Sequence, residues 1–511
     1  MNTNKKNKIA VISRQGYIIK KKVVNSELSE LIKNELTVTP QLSTDYKIAQ
    51  SFKVYNEDLN YYYLPRYWAL ENIDIEPNIE FKIKTKNMHN YKFKGILRTH
   101  QLDIINTIID IFYDKEINKL KPYASSIISV PTGYGKTVLA IYMICFLKRK
   151  TLIFCHTKNL FDQWIERLND YIDVVNIGYI QGTKCKIKGC NIVLCMIQTI
   201  INNKLNYGTL LKNYDFAIYD ECHHMSAQTF SSVLNIIQPP YSLGLSATPQ
   251  RQDKLEKVYQ WSLNEIGYVI NGKIDQDVKI QIYKFNKTDD IKYKMLVNRF
   301  TKRVNISQMM TNLTEIKERN DLIIKIIKKT LEESNSRKII VLSNRIEHLN
   351  NLKEMLEIIF PEKVSLYIGK MKKDQLKIAE EKQIILASNN IAEEGLDIFA
   401  LDTIILCSPK SRILQACGRI LRRQKHQYEN IPLMIDINDM LGLFNSMNKK
   451  RMKQYQEKYL QSENSILEFY KYDNDTNFEI EMEMEKVSLK DLKNEIYKEN
   501  NSKYIFDSDS E

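Results

Sequence analysis

Residues 131–137 (PTGYGKT) bring together the residue types that hold the phosphates of a nucleotide. They follow an apolar run, 126–130, and precede a helical stretch, 136–148. In that context glycines let backbone N–H groups wrap phosphate oxygens, and the N-terminus of the helix adds its dipole. Lys136 can then reach the β and γ phosphates, and Thr137 can ligate Mg²⁺. The pattern predicts a phosphate loop whose backbone is formed by Thr132, Gly133, Tyr134 and Gly135.

Two adjacent carboxylates follow another apolar run, 216–219, in the segment DECH (220–223). A carboxylate at the end of a strand parallel to the phosphate-loop strand can hold Mg²⁺, usually through water. The next carboxylate can orient and deprotonate an attacking water. We therefore predict Asp220 as a metal ligand beside Thr137, and Glu221 as the catalytic base. A surface turn would be the alternative for such a pair if the phosphate loop were absent.

The segment QACGRILR (415–422) places Arg419 and Arg422 three residues apart, on one face if the segment is helical. A planar guanidinium that reaches phosphate from a neighbouring domain would be an arginine finger. Taken alone, a basic helix is more often a solvated face, but the order of the motifs favours the finger. The loop EGLD (394–397) follows an apolar run and is expected at the same cleft.

Short apolar runs alternate with helical stretches twice along the chain, which predicts parallel sheets with crossover helices. The first series lies at 126–130, 151–155, 192–196, 216–219 and 242–246, and the second at 338–342, 365–368, 383–387, 403–406 and 433–437. The predicted fold class is α/β, with two tandem domains and a small accessory domain before them. The predicted ranges are 1–90 for the accessory domain, 91–270 for the first α/β domain, 271–325 for a helical linker, 326–460 for the second α/β domain and 461–511 for an acidic, partly disordered tail.

Composition narrows the class of protein further. The 511 residues carry a formal net charge of +13, which favours a polyanionic partner. A hydrophobic content of 43% excludes global disorder, and no apolar run is long enough to span a bilayer. The eight cysteines are scattered, which predicts buried thiols in a reducing compartment, and no second ligand pair follows Cys185 and Cys190 at zinc spacing. Glycine is scarce, while Lys, Asn, Ile and Tyr are abundant, as is typical of an AT-rich genome.

In this order the motifs resemble those of superfamily 2 helicases and translocases of the DExH type. The segment LRTHQ (97–101) is similar to that family's adenine-reading motif, and 394–397 and 415–422 are similar to its fifth and sixth motifs. The resemblance covers residues 91–460 and implies RecA-like domains with ATP and Mg²⁺ as cofactors. It implies nucleotide contacts from Gln101, Gly395 and Asp397. It also implies catalytic roles for Glu221, Lys136, Gln415, Arg419 and Arg422.

Finer features are similar to the transcript-release helicases of poxviruses and other large DNA viruses. These features include the segments YLPRY (63–67), GLSATPQRQD (244–253) and LSNRIEHL (342–349). The resemblance implies 3′–5′ movement along DNA and a role in transcription termination or transcript release. It further implies a viral RNA polymerase or transcription factors as partners, a monomeric state and no membrane association. The expected location is the host cytoplasm or viral factory, with packaging in the virion.

The same resemblance implies contacts to the nucleic-acid backbone, which position a strand without reading its sequence. The implied residues are His156, Thr157, Gly182, Gln198, Arg345 and Ser388. Some positions depart from the family pattern: Cys195 and Ser388 stand where threonine is usual, and Ala416 stands where related proteins carry another arginine. The finger role therefore rests on Arg419 and Arg422.

Three alternatives remain open at this stage. The first is an RNA helicase, the second a nucleic-acid-binding module with a vestigial ATPase, and the third a nuclease-coupled motor. For residues 1–90 we predict an α/β or β-rich domain that contacts duplex or a partner polymerase. Deleting that domain is expected to spare the basal ATPase and to weaken its coupling to DNA.

Overall fold

The computed structural model gives two compact units, Met1–Asn271 and Gly272–Glu511, each with its own eight-stranded sheet and core. Among the residues that it describes, no helix is both long and apolar enough to cross a bilayer. The structure describes residues 9–40, 50–81, 90–131, 133–173, 176–202, 207, 210–223, 228–247, 254–264, 266–269, 276–298, 304–369, 371–389, 391, 396, 398–423, 425–460, 462, 464–471 and 485–486.

The first unit begins with a five-stranded sheet in the order β5-β6-β2-β1-β7. In β1 every second residue, Ala10 and Ile12, is buried, because successive side chains of a strand point to opposite faces. Two helices complete this part, α1 (Ser26–Glu35) and α2 (Arg66–Asn72). The strands are β1 (Ala10–Ser13), β2 (Gly16–Lys20), β5 (Asn56–Glu57), β6 (Tyr61–Leu64) and β7 (Asn78–Ile79), with β3 (Thr37–Val38) and β4 (Phe52–Lys53) paired separately.

The main sheet of the first unit has eight strands in the order β13-β12-β14-β11-β15-β16-β10-β17. All its pairs are parallel except β12 with β13, so the carboxyl ends of the parallel strands meet at one edge. The strands are β10 (Ala124–Ser129), β11 (Thr151–Cys155), β12 (Ile177–Gln181), β13 (Lys184–Lys186), β14 (Ile192–Met196), β15 (Phe216–Tyr219), β16 (Tyr241–Ser246) and β17 (Ile266–Val269), with a hairpin of β8 (Tyr113–Asp114) and β9 (Lys119–Leu120) beside them. The helices are α3 (Thr99–Phe112), α4 (Lys136–Leu147), α5 (Lys158–Tyr171), α6 (Ile197–Asn202), α7 (Gln228–Ile236) and α8 (Glu256–Leu263).

The second unit repeats the arrangement with a sheet in the order β20-β21-β19-β22-β23-β18-β24-β25. Its pairs are parallel except β24 with β25. The strands are β18 (Lys279–Phe285), β19 (Ile339–Ser343), β20 (Val364–Tyr367), β21 (Ile384–Ser388), β22 (Thr403–Leu406), β23 (Leu433–Asp439), β24 (Ile466–Lys471) and β25 (Glu485–Lys486). The helices are α9 (Ile306–Thr314), α10 (Lys317–Glu333), α11 (Ile346–Ile359), α12 (Lys373–Glu381), α13 (Leu414–Cys417) and α14 (Leu443–Lys458), and short 3₁₀ turns cover Lys21–Val23, Gly418–Ile420 and Lys425–Gln427.

The predicted α/β class is confirmed, and each predicted apolar run forms a strand of a parallel sheet. The structure differs at two predicted ranges. The range 271–325, expected to be a linker, contains β18, which pairs with β23 and β24 within the sheet. The range 461–511, expected to be a tail, contributes β24 to the same sheet. Polar residues interrupt both strands, at Gln281 and Lys284 in β18 and at Glu468 in β24, so neither strand reads as a continuous apolar run.

Candidate nucleotide and nucleic-acid sites

The phosphate loop joins the end of β10 to the start of α4, as its sequence pattern predicts. Gly133 has φ +91° and Gly135 has φ +80°, conformations that favour glycine. Lys136 Nζ lies 3.3 Å from the carbonyl oxygen of Val130, so the side chain folds back over the loop. Thr137 lies in the first turn of α4, whose N-terminus points its N–H groups toward the loop. Thr132 lies outside the described residues.

Gln101, the residue implied to read adenine, is buried at the start of α3 and contacts the phosphate loop. Its amide nitrogen donates to the carbonyl of Tyr134 at 3.0 Å, and its amide oxygen accepts from the backbone N–H of Arg98 at 2.9 Å. A Cβ atom at Gly135 would lie 2.3 Å from that amide nitrogen. An amide has two N–H groups and two lone pairs, so one donor and one acceptor remain for a base edge.

Asp220 lies buried directly after β15, two strands from the phosphate-loop strand β10. The indole N–H of Trp164, on α5, donates to Asp220 Oδ2 at 2.9 Å. The backbone N–H of Glu221 donates to the other carboxylate oxygen at 3.0 Å. Burial raises the pKa of Asp220, and the charge of Glu221 raises it further. Asp220 and the Thr137 hydroxyl are hard oxygen donors of the kind that Mg²⁺ prefers, so both residues fit the implied ion.

Glu221 has φ +49°, an uncommon conformation for a residue with a side chain. Its Oε2 atom lies 3.4 Å from Nδ1 of His223. The same His223 nitrogen is 3.1 Å from the hydroxyl of Ser246, the last residue of β16. His223 therefore connects the predicted catalytic base to the start of the Ser-Ala-Thr-Pro segment. Thr248 and Pro249 of that segment lie outside the described residues.

In the second unit Arg419 and Arg422 converge on one carbonyl oxygen. Arg419 Nη1 donates to Leu396 O at 2.9 Å, and Arg422 Nη2 donates to the same oxygen at 2.7 Å. The segment does not form the expected continuous helix, since α13 ends at Cys417 and a 3₁₀ turn covers Gly418–Ile420. The shared acceptor, rather than a helix face, brings the two guanidinium groups together. Gln415 lies on α13, and Gly395 and Asp397 lie outside the described residues.

The implied nucleic-acid residues of the first unit lie at the carboxyl ends of three neighbouring strands, β12, β14 and β11. Gln198 Nε2 donates to the carbonyl of His156 at 3.0 Å. Thr157 caps α5 by accepting from Leu160 N, and the N–H of Gly182 donates to Thr199 Oγ1 at 2.9 Å. The structure thus brings His156, Thr157, Gly182 and Gln198 to one edge.

Arg345 and Ser388 lie at the matching edge of the second unit, after β19 and at the end of β21. Arg345 Nε donates to Thr311 Oγ1 at 3.0 Å, and Nη2 donates to Ser307 O at 2.7 Å, so α9 orients the guanidinium. Sequence reasoning missed a polar cluster beside them. Asn389 Nδ2 donates to Asn344 Oδ1 at 2.6 Å, and the N–H of Asn344 donates to Ser408 Oγ at 2.9 Å.

These missed residues share a signal, because each follows the end of a parallel strand directly or within two residues. Polar side chains at such an edge are the usual place for ligand contacts in an open α/β sheet. Trp164 carried no comparable signal, since it lies in the middle of an amphipathic helix and its partner is 56 positions away.

Two family descriptions match this chain. Residues 94–251 match "Type III restriction enzyme, res subunit", and residues 318–424 match "Helicase conserved C-terminal domain". The two matched ranges contain the phosphate loop and the Arg419–Arg422 segment, respectively.

Relatives that match most of this chain include viral and archaeal proteins. A protein of Acanthamoeba polyphaga mimivirus with the provisional name ATP-dependent RNA helicase is 33% identical, over 91% of this chain and 90% of its own length. A DNA 3′–5′ translocase of Sulfurisphaera tokodaii is 24% identical, over 70% of this chain and 85% of the relative. A transcript termination protein of Yaba-like disease virus is 25% identical, over 73% of this chain and 81% of the relative.

Among solved structures, a fragment provisionally assigned as the HsdR subunit of a type I restriction enzyme from Vibrio vulnificus has the same fold. It is 17% identical with a TM-score of 0.50, and the match covers 74% of this chain and 70% of the fragment. At that identity the likeness concerns the fold alone.

Proposed function

We propose that this chain moves along DNA in the 3′–5′ direction and acts in transcript release. The chain belongs to the superfamily 2 helicases and hydrolyses ATP as a nucleic-acid helicase. The observation that carries the proposal is the joint placement of the site residues in the first unit. The phosphate loop, Asp220 and Glu221 lie at the carboxyl edge of the sheet that also presents His156 and Gln198. ATP and a strand bound at that one edge would be coupled through the same sheet.

The residues of the first unit have distinct proposed roles in hydrolysis. The N–H groups of the loop and Lys136 bind the phosphates, while Thr137 and Asp220 would hold Mg²⁺, which neutralises phosphate charge when bound. Glu221 orients the attacking water and accepts its proton. The contact to His223 holds the Glu221 carboxylate beside Ser246. In the second unit, Arg419 and Arg422 are proposed to stabilise the charge that develops on the transferred phosphate.

DNA is the proposed track because two relatives carry names that concern DNA translocation and transcript termination. RNA is the second candidate, because the relative that is 33% identical is named as an RNA helicase. Backbone contacts of the kind assigned to His156, Gln198 and Arg345 position a strand without reading its bases, so they favour neither track. We further propose that the protein acts as a monomer with viral RNA polymerase or transcription factors in the cytoplasm or viral factory, and that it is packaged in the virion.

The decisive experiment measures ATP hydrolysis by the purified protein with single-stranded DNA, duplex DNA, RNA or no nucleic acid. Stimulation by DNA above RNA supports the DNA track, and stimulation by RNA alone would replace it with the second candidate. Hydrolysis that no nucleic acid accelerates would contradict a coupled motor.

We predict that Glu221→Gln lowers kcat at least about 100-fold, since the amide accepts no proton and a general base supplies that order of acceleration. ATP binding should survive, because the substitution leaves the loop in place and removes a charge that raises the pKa of Asp220, the predicted Mg²⁺ ligand. Equilibrium titration with a fluorescent ATP analogue measures the binding. The matched control is Glu354→Gln, which makes the same chemical change at an exposed position of α11 and should leave kcat unchanged.

A further inference from the structure

Among the described residues of the second unit, α14 is the last helix, and it lies against the loop that leads into the Arg419–Arg422 segment. This loop, residues 407–413, connects β22 to α13. The match to the helicase C-terminal family ends at residue 424, so α14 lies outside it. The contacts between α14 and this loop therefore show what α14 adds to the Arg419–Arg422 segment.

Gln454 makes two hydrogen bonds to the loop with the two ends of its amide. Its Nε2 donates to the carbonyl of Ser411 at 2.5 Å, and its Oε1 accepts from the backbone N–H of Ile413 at 3.2 Å. The same Nε2 also donates to the carbonyl of Lys450 one turn earlier, at 3.0 Å. The side chain is thus fixed on its own helix and clamps two loop residues that lie two positions apart.

A second pair of contacts flanks this clamp. Arg451 Nη1 donates to the carbonyl of Lys410 at 2.8 Å. The hydroxyl of Tyr459, directly after α14, donates to the carbonyl of Leu414 at 3.2 Å. The contacts follow one another along the loop, from residue 410 through 411 and 413 to 414, so they hold the backbone up to the first residue of α13.

Buried polar contacts bind the second half of α14 to strand β23 of the sheet. Arg451 Nε pairs with Asp436 Oδ2 at 2.8 Å, and both side chains are fully buried. Arg451 Nη2 donates to Asn438 Oδ1 at 2.7 Å, and the Tyr455 hydroxyl donates to Asp436 at 3.0 Å. A buried ion pair of this kind is a poor source of net stability. The hydrogen bonds that Arg451 donates to Asp436, Asn438 and Asn448 nevertheless fix its orientation. The helix is therefore a fixed reference from which the loop is positioned.

We propose that Gln454, with Tyr459, is a positioning residue for hydrolysis: the pair sets the backbone that aims Arg419 and Arg422. The proposal rests on the phosphate role proposed above for those arginines. α13 is four residues long and is followed by a 3₁₀ turn, so it has little rigidity of its own. The loop before it supplies the missing constraint, and α14 holds that loop.

The test compares Gln454→Met and Tyr459→Phe with the unchanged full-length protein at saturating nucleic acid. Methionine keeps the shape of Gln454 and removes both loop contacts, and phenylalanine removes only one hydroxyl, so the second variant stays folded even if the first does not. We expect Gln454→Met to lower kcat at least about tenfold, since small misplacements of reacting groups cost up to about 100-fold. We expect Tyr459→Phe to lower it less, with the KM for ATP and the melting temperature of both variants unchanged.

Lys453→Met serves as the matched control, because Lys453 precedes Gln454 on α14 and its side chain is 74% exposed. An unchanged kcat in both variants would overturn the positioning role. A kcat that falls only together with the melting temperature would also overturn it, because that pattern is purely structural. Arg419→Ala is measured in parallel. If this variant keeps full kcat, the phosphate role is wrong and the positioning role is wrong with it. If kcat falls in Arg419→Ala but stays normal in Gln454→Met, only the positioning role is refuted.

Discussion

At the scale of single residues, the contact between Trp164 and Asp220 shows how a buried carboxylate is oriented. Asp220 is shielded from water, so its charge depends on the hydrogen bonds that reach it. The indole N–H supplies one to Oδ2, and the backbone of Glu221 supplies another to Oδ1. Loss of a residue that orients a metal ligand typically lowers metal affinity about 10- to 100-fold.

We predict that Trp164→Phe raises the Mg²⁺ concentration needed for half-maximal ATP hydrolysis about tenfold, as losses of outer-shell partners commonly do. Phenylalanine keeps most of the packing in the core of the first unit and removes the N–H donor. A magnesium titration at saturating ATP measures the effect, with nucleotide-analogue binding at each magnesium concentration as an independent readout. The matched control is Trp261→Phe, because Trp261 is a tryptophan that takes no part in the contact with Asp220. If both variants need the same magnesium concentration, Trp164 does not orient Asp220 for metal binding.

At the scale of elements, the N-terminal sheet is attached to the main sheet by buried polar contacts. Arg66 is buried and donates to the carbonyls of Gln238 and Pro239, at 2.9 and 3.0 Å. Its guanidinium also lies over the ring of Tyr123, 5.4 Å from the centroid. Arg14 forms an ion pair with the buried Asp215. The sheet is therefore part of the first unit rather than a loosely tethered domain.

These contacts change how the ATPase activity of a variant that lacks residues 1–90 can be interpreted. The sequence alone predicts that removing residues 1–90 spares basal ATPase and weakens coupling to DNA. In the structure the deletion would also uncover the carbonyls that Arg66 satisfies and the partner of Arg14. Loss of ATPase activity in a deletion variant would then reflect unfolding. A point substitution is therefore needed to separate unfolding from weakened coupling to DNA.

We predict that Arg66→Met lowers the stability of the first unit by about 3 kcal/mol, because two buried carbonyl groups lose their donors. Chemical denaturation followed by tryptophan fluorescence measures the change, and Trp68 and Trp261 lie near this interface. Lys22→Met, at an exposed position of the same sheet region, should leave the midpoint unchanged. A midpoint shift no larger than that of the control would show that Arg66 does not attach the sheet.

At the scale of the whole molecule, local motifs were predictable and long-range contacts were not. The phosphate loop is a contiguous pattern, and its context of strand and helix is visible in the sequence. By contrast, β18 and β24 become neighbours although 187 positions separate Gln281 from its partner Glu468. The contact from Trp164 to Asp220 and the clamp by Gln454 likewise depend on folding. Periodicity finds elements, but it carries no information about which distant side chains meet.

Buried titratable groups of this protein respond to acid in opposite directions: burial raises the pKa of the carboxyls of Asp220, Asp402 and Asp436, and lowers the pKa of His348. In the first unit burial raises the pKa of Asp220, so the folded unit takes up this proton more readily than the unfolded chain does. In the second unit burial, aided by the charge of Arg319, lowers the pKa of His348 to about 3. The neutral imidazole lies between Ser343 Oγ at 2.9 Å and Asn320 Oδ1 at 3.0 Å. The unfolded chain binds a proton at this histidine near pH 6.5, whereas the folded unit does not.

The stability contributed by neutral His348 is therefore complete above pH 6.5 and is lost progressively as the pH falls toward 3. By pH 5 the loss amounts to about 2 kcal/mol, at about 1.4 kcal/mol for each pH unit. We predict that acidification from pH 7 to pH 5 weakens hydrogen-exchange protection in β19 more than in β15, once intrinsic exchange rates are corrected. His348→Gln retains a polar side chain that does not titrate, so it should remove most of that difference. An equal loss of protection in β19 of both proteins would show that His348 is not the group responsible.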